Sequence, residues 1–239
     1  MGIRKESKET MTFNFLHLFV NDFKPVIPEF FLLTTTIFLL VYGAYFTTAK
    51  EKNFPVLSGN VARLGLLVLG FTLLLVLNSP IQRAVFFYNC LTIDDLSFFL
   101  KVLILVCSFV SIFISLDYLK QEKLNSFEPI ILILISTASM LLMVSSYDFI
   151  SMYLAIELQS LSFYVLAASK RNSEFSTEAG LKYFLLGAFS SGVLLFGCSI
   201  IYGFTGITNF EELAKLFSGL GELSFLFSSG ILIGILFLA

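Results

Sequence analysis

Tyr147-Asp148-Phe149-Ile150-Ser151-Met152-Tyr153-Leu154-Ala155-Ile156-Glu157-Leu158-Gln159-Ser160-Leu161 continues apolar to Ala168, with Glu157 alone as a charge near the middle of the run. About 20 apolar residues in a helix cross a hydrocarbon core of about 30 Å. Glu157 lies nine positions past Asp148, or about 13 Å of helix at 1.5 Å per residue. That depth is close to the bilayer centre. An ionisable group there costs roughly 2.5 kcal/mol or more and marks an ion or proton path by default. Its helix neighbours at i−4 and i+3 are Tyr153 and Ser160, with Gln159 nearby. The alternative role is a buried hydrogen bond to a neighbouring helix.

Working outward, the whole chain has the composition of a polytopic membrane protein. Of 239 residues, 57% are hydrophobic and 13% charged, against about 25% charge in a soluble domain. Seven segments are expected to span or nearly span: 27–49, 61–78, 96–116, 129–147, 149–169, 179–204 and 224–239. Five of them hold one charge each: Glu29, Arg63, Lys101, Glu157 and Lys182. Glu29 and Arg63 are expected to reach the interface from near a helix end, and Lys101 to snorkel outward past Asp94 and Asp95. Lys182 sits about one turn into the sixth segment. It either snorkels or meets Glu157 from the adjacent antiparallel helix, through water because the two differ in depth by about 10 Å. Gly187-Ala188-Phe189-Ser190-Ser191-Gly192 is a small-residue patch suited to close helix packing. The stretch 11–23 is too short to span and suits the membrane surface.

Orientation follows from the loops. Lys50, Lys52, Arg63, Lys120, Lys123, Lys170 and Arg171 lie after the odd-numbered spans, and only Arg83 and Lys215 after the even-numbered ones. The positive-inside rule then puts the odd loops on the cytoplasmic or matrix side and the N-terminus outside. The tail, with Arg4, Lys5, Lys8 and Lys24, is weakly contrary. Its Glu6 and Glu9 argue against an acid-poor transit peptide. Cys90, Cys107 and Cys198 are far apart, and His17 is the single histidine. No metal or haem site is built from these. No nucleotide-binding glycine loop, zinc-protease motif, catalytic triad or basic nucleic-acid patch is present. Twenty-nine Phe and no Trp suggest an AT-rich organellar gene.

Tyr147-Asp148, Met152 to Leu161, Ala167-Ala168-Ser169-Lys170-Arg171, Glu174 to Tyr183 and Leu186 to Gly192 together resemble the subunit 2 family of mitochondrial respiratory complex I (NADH–ubiquinone oxidoreductase). Pro28-Glu29, Asp95 and Phe127-Glu128 fit the same helix order. The match is strongest over 128–206. The resemblance implies an all-α membrane protein of about seven transmembrane helices, an antiporter-like half-bundle completed by another chain. In that family a helix-five glutamate pairs with a helix-seven lysine, and a helix-six lysine is often nearby. Glu157 and Lys182 match two of these three positions and are the expected proton-path residues.

Ser228 to Ala239 resembles the start of helix seven, before the expected lysine. The expected organisation is a tail with an interfacial helix at 1–24, three transmembrane helices over 25–126, and the start of the antiporter-like core over 127–239. The implied function is that of a proton-translocating membrane-arm subunit, with no redox chemistry in this chain. NADH, FMN, iron–sulfur clusters and ubiquinone would be bound by other subunits of the complex. A second polypeptide carrying the remaining half, other membrane-arm subunits and membrane lipids are the expected partners, and nucleic acid is not. The expected location is the mitochondrial inner membrane, N-terminus toward the intermembrane space. A non-transporting structural module and a subunit of a related cation/proton antiporter are the alternatives.

Overall fold

The computed structural model describes residues 23–48, 54–79, 84–121, 126–170, 173–218 and 225–238. A 3-10 turn at Lys24–Val26 leads into α1, Ile27–Thr48. Then follow α2 (Phe54–Leu77), strands β1 (Ala84–Phe86) and β2 (Leu91–Ile93), α3 (Asp95–Gln121) and α4 (Glu128–Ser145). After these come α5 (Phe149–Ala167), α6 (Glu174–Thr205), the short α7 (Phe210–Ser218) and α8 (Phe225–Leu238). Among the described residues, six helices, α1 to α6, are long and apolar enough to cross a membrane. The expected seventh segment, 224–239, is the 14-residue α8 among the described residues, about 21 Å long. The expected interfacial segment 11–23 lies outside the described residues except for Phe23, and Ala239 also lies outside them.

Helices α1 to α4 form a four-helix bundle. α1 packs on α2 and α4, and α3 packs on the same two, so α1 and α3 stand on the long diagonal. Its core comes from inward positions of all four, including Leu32, Leu69, Leu105, Ile112, Leu134 and Leu141. Lipid tails are as apolar as leucine, so this packing is driven by van der Waals contact and polar links rather than by escape from water. The same physics turns polar residues inward. Thr36, Thr72, Ser108, Ser136, Thr137 and Ser139 are all buried in this bundle. Each hydroxyl donates to a carbonyl of its own helix one turn back.

A second, smaller cluster joins Phe149, Cys198, Ile201 and Leu213 from α5, α6 and α7. α6 and α8 cross at glycines. A Cβ on Gly197 would lie 3.0 Å from the Gly234 carbonyl oxygen, tighter than ordinary contact, so glycine favours this close approach.

The loops expected at 79–95 and 205–223 hold structure of their own. β1 and β2 pair antiparallel, with Val85 opposite Thr92. Their turn places Phe87, Tyr88 and Asn89 at positive φ, a conformation costly for residues other than glycine. Neighbouring loops hold it there. Tyr147 N–H donates to the Cys90 carbonyl at 2.8 Å, Ser151 Oγ donates to the same oxygen at 3.0 Å, and Asn209 Nδ2 donates to the Asn89 carbonyl at 3.1 Å. Asn209 also caps α7 by accepting from the Glu211 and Glu212 amides. α7 turns Leu213 inward and keeps Glu211 and Lys215 exposed, the pattern of a helix lying along an interface.

Candidate functional site

Asp148 starts the helix that carries Glu157. Its carboxylate accepts from the Ser151 amide at 2.9 Å and from the Ser151 hydroxyl, a side-chain N-cap. From there α5 runs inward without interruption. Glu157 is half-buried, and its Oε2 is buried with no hydrogen-bond partner among the described residues. Ser160 does not serve the carboxylate; its hydroxyl donates to the Glu157 backbone carbonyl at 2.9 Å. A buried carboxylate oxygen without a donor is costly, so a partner is required that these residues do not supply.

Lys182 is not that partner. Its Nζ pairs with Glu178 Oε1 at 2.6 Å, one turn back on α6, and the two side chains are 68% and 59% exposed. Among the described residues the expected meeting of Lys182 with Glu157 from the adjacent helix is not formed. The cause is the surrounding helix: Leu185, Leu186 and Phe189 are also exposed, so nothing described covers this face of α6. The small-residue patch behaves in two ways. Gly187 sits against the Tyr164 ring and hydroxyl of α5, whereas a Cβ at Gly192 would meet nothing within 4 Å.

The larger correction concerns Glu29 and Lys101. Neither side chain turns outward to the surface. Lys101 Nζ lies 2.5 Å from Glu29 Oε1, with side chains 6% and 2% exposed. The pair joins α1 to α3 across the long diagonal of the bundle. In sequence each charge lies near a helix end, where snorkelling is equally consistent. The readable signal was the company Lys101 keeps: Ser97 and Ser108 lie on its face at i−4 and i+7, and all three are buried. Arg63, by contrast, is exposed.

On the hairpin side, burial raises the Cys90 thiol pKa, and the nearby Asp148 charge and a hydrogen bond with it add to the shift. Among the described residues no group of three or more His, Cys, Asp or Glu side chains is placed to hold a metal.

The family model described as "NADH:quinone oxidoreductase/Mrp antiporter, TM" matches residues 146–239, the segment that includes Glu157 and Lys182. The chain is 58% identical over 224 residues to NADH-ubiquinone oxidoreductase chain 2 of Marchantia polymorpha, covering 93% of this chain and 46% of that one. It is 50% identical over 226 residues to the chain of the same name in Arabidopsis thaliana, covering 93% and 45%. NADH-quinone oxidoreductase subunit N of Paramagnetospirillum magneticum is 41% identical over 216 residues, covering 90% and 43%. Among solved structures, a chain of respiratory complex I from Thermus thermophilus superposes with a TM-score of 0.60 at 24% identity, over 87% of this chain and 43% of that one. A chain of an archaeal membrane-bound sulfane sulfur reductase gives 0.58 at 21% identity. These two show a shared fold. The chain spans a little under half the length of the curated relatives it matches. Within that span it belongs to the antiporter-like family of NADH-ubiquinone oxidoreductase chain 2 and its bacterial counterpart, subunit N.

Proposed function

We propose that this chain is part of a proton-translocating membrane-arm subunit of respiratory NADH:ubiquinone oxidoreductase, with Glu157 as its proton-carrying carboxylate. The observation that carries the reading is the buried, unpartnered Oε2 of Glu157 within an apolar span. Such a group needs a cation or water as counterpart. Residues outside these 239, on the same or a second polypeptide, are the proposed source of that cation. Lys182 takes a second place on the path once those residues cover its face of α6, and its tie to Glu178 is the contact it would exchange. NADH oxidation, FMN, iron–sulfur clusters and ubiquinone belong in this reading to other subunits. The site is the mitochondrial inner membrane, with the hairpin face and the N-terminus toward the intermembrane space; the plant relatives and the loop charges support this.

The test is Glu157→Gln in the assembled complex. Protons moved per NADH oxidised should fall, while NADH oxidation in uncoupled membranes continues. An unchanged ratio would reduce Glu157 to a structural role and favour a non-transporting module.

A further inference from the structure

We propose that Glu29 and Lys101 form a second ionic site in this chain, a hydrated one that takes up and releases protons between α1 and α3, separate from Glu157. Three observations carry it. Both side chains are more than nine-tenths buried and meet at 2.5 Å. Glu29 Oε2 is buried with no hydrogen-bond partner among the described residues. Thr92 Oγ1, on the strand that leads into α3, is likewise buried and unpartnered. A single contact leaves the remaining capacity of the carboxylate and of a three-donor ammonium unfilled. Buried water supplies such hydrogen bonds, typically about three per molecule.

The surroundings favour a relay over a simple clamp. Counting seven residues inward from each partner gives Thr36 on α1 and Ser108 on α3, both buried. α1 and α3 run in the same direction, so these hydroxyls lie about 10 Å deeper, at one level. α2 and α4 add Thr72, Ser136, Thr137 and Ser139 to the same interior. The hairpin face is within reach on the other side, because α1 and α3 both start there. Among the described residues Asp148, at the cap of α5, is the other charged side chain buried as a whole, and single buried carboxylate oxygens occur on Asp94, next to β2, and on Glu157 in α5.

The step balances as follows. A hydronium gives its proton to Glu29 and becomes water. The Lys101 ammonium, now without its counter-charge, gives a proton to water on the inner side. Transfer of the carboxyl proton to the lysine amine then restores the carboxylate and the ammonium. One proton has entered and one has left.

Two measurements on the assembled complex test this. The first is a density map of the wild-type complex fine enough to show ordered water. At least one water bonded to Glu29 or Lys101 is expected, and a dry site overturns the proposal. The second is the double variant Glu29→Gln/Lys101→Met, which removes both charges at similar size. It should assemble and lose this chain's share of the protons moved per NADH oxidised. Assembly with a wild-type ratio overturns the relay. Should the double variant fail to assemble, Glu29→Asp keeps the charge but withdraws the carboxylate, and the same ratio is read with the same two outcomes. The pumping measurement rests on the reading given under Proposed function. Glu157→Gln run in parallel separates the two: an unaffected Glu157→Gln ratio sinks that reading, whereas the water at Glu29 is judged without it.

Discussion

Helices α4 and α6 are both apolar spans, yet 56% of the apolar stretch of α4 is buried and only 17% of that of α6. α4 is held by α1, α2, α3 and α5. α6 is met by α5 and α8 and leaves Leu181, Leu186 and Phe189 exposed. The charges follow the same division. The lysine of the first bundle, Lys101, is buried against a carboxylate on another helix, and the lysine of α6 is exposed against one on its own. Hydropathy alone does not separate these helices. What separates them is whether neighbours close around the polar face.

The sharpest way to break this contrast is to make one change in both places. Lys101→Met leaves Glu29 as a lone buried charge and should destabilise the chain by about 3–5 kcal/mol. Lys182→Met breaks an exposed i,i+4 pair and should cost about 0.5 kcal/mol or less. Thermal unfolding of the detergent-solubilised complex measures both. Equal costs would mean that α6 is as enclosed as the bundle.

A smaller effect sharpens the account of the exposed limb. Gly197→Leu drives a side chain into the Gly234 backbone and should cost about 1–3 kcal/mol. Gly192→Ala, facing open space, should leave stability unchanged within about 0.5 kcal/mol. Protease resistance of α8 reads the difference; loss at Gly192 equal to that at Gly197 would show that a further helix packs there.

The smallest effect concerns the hairpin face. The raised Cys90 pKa means less thiolate at neutral pH, and the thiolate is the reactive form. Maleimide labelling of Cys90 should therefore be slow near neutrality and accelerate as pH rises. Asp148→Asn retains a capping side chain but removes the charge that helps hold the thiol protonated. Labelling in that variant should speed up at fixed pH. An unchanged rate would leave burial as the whole cause.

The spans were legible because each is a long apolar run, and α1, α4 and α5 start and stop within two residues of where hydropathy places them. Glu157 was legible for the same reason, as a charge where none is cheap. The last helix was legible too: α8, Phe225–Leu238, lies within one residue of the expected 224–239 at each end. The Glu29–Lys101 pair was not legible as a pair, because partner choice depends on which helices stand across the bundle. The hairpin escaped too. Its strands are three residues each, too short to show an alternating pattern. Its turn is built from Phe87, Tyr88 and Asn89 at positive φ without a glycine to signal it.

That hairpin also sets a clock on biogenesis. Its carbonyls at Asn89 and Cys90 are satisfied by Asn209, Ser151 and Tyr147, and the Asn209 bond spans 120 positions. At about 5–20 residues per second of synthesis, the Asn89 carbonyl waits about 6–24 s before Asn209 exists. Through that interval the strained turn has no Asn209 to receive, and the first helices must be kept from wrong partners by the insertion machinery or by lipid. The hairpin face therefore cannot lock until the chain has been made as far as Asn209, whatever order the helices enter the bilayer.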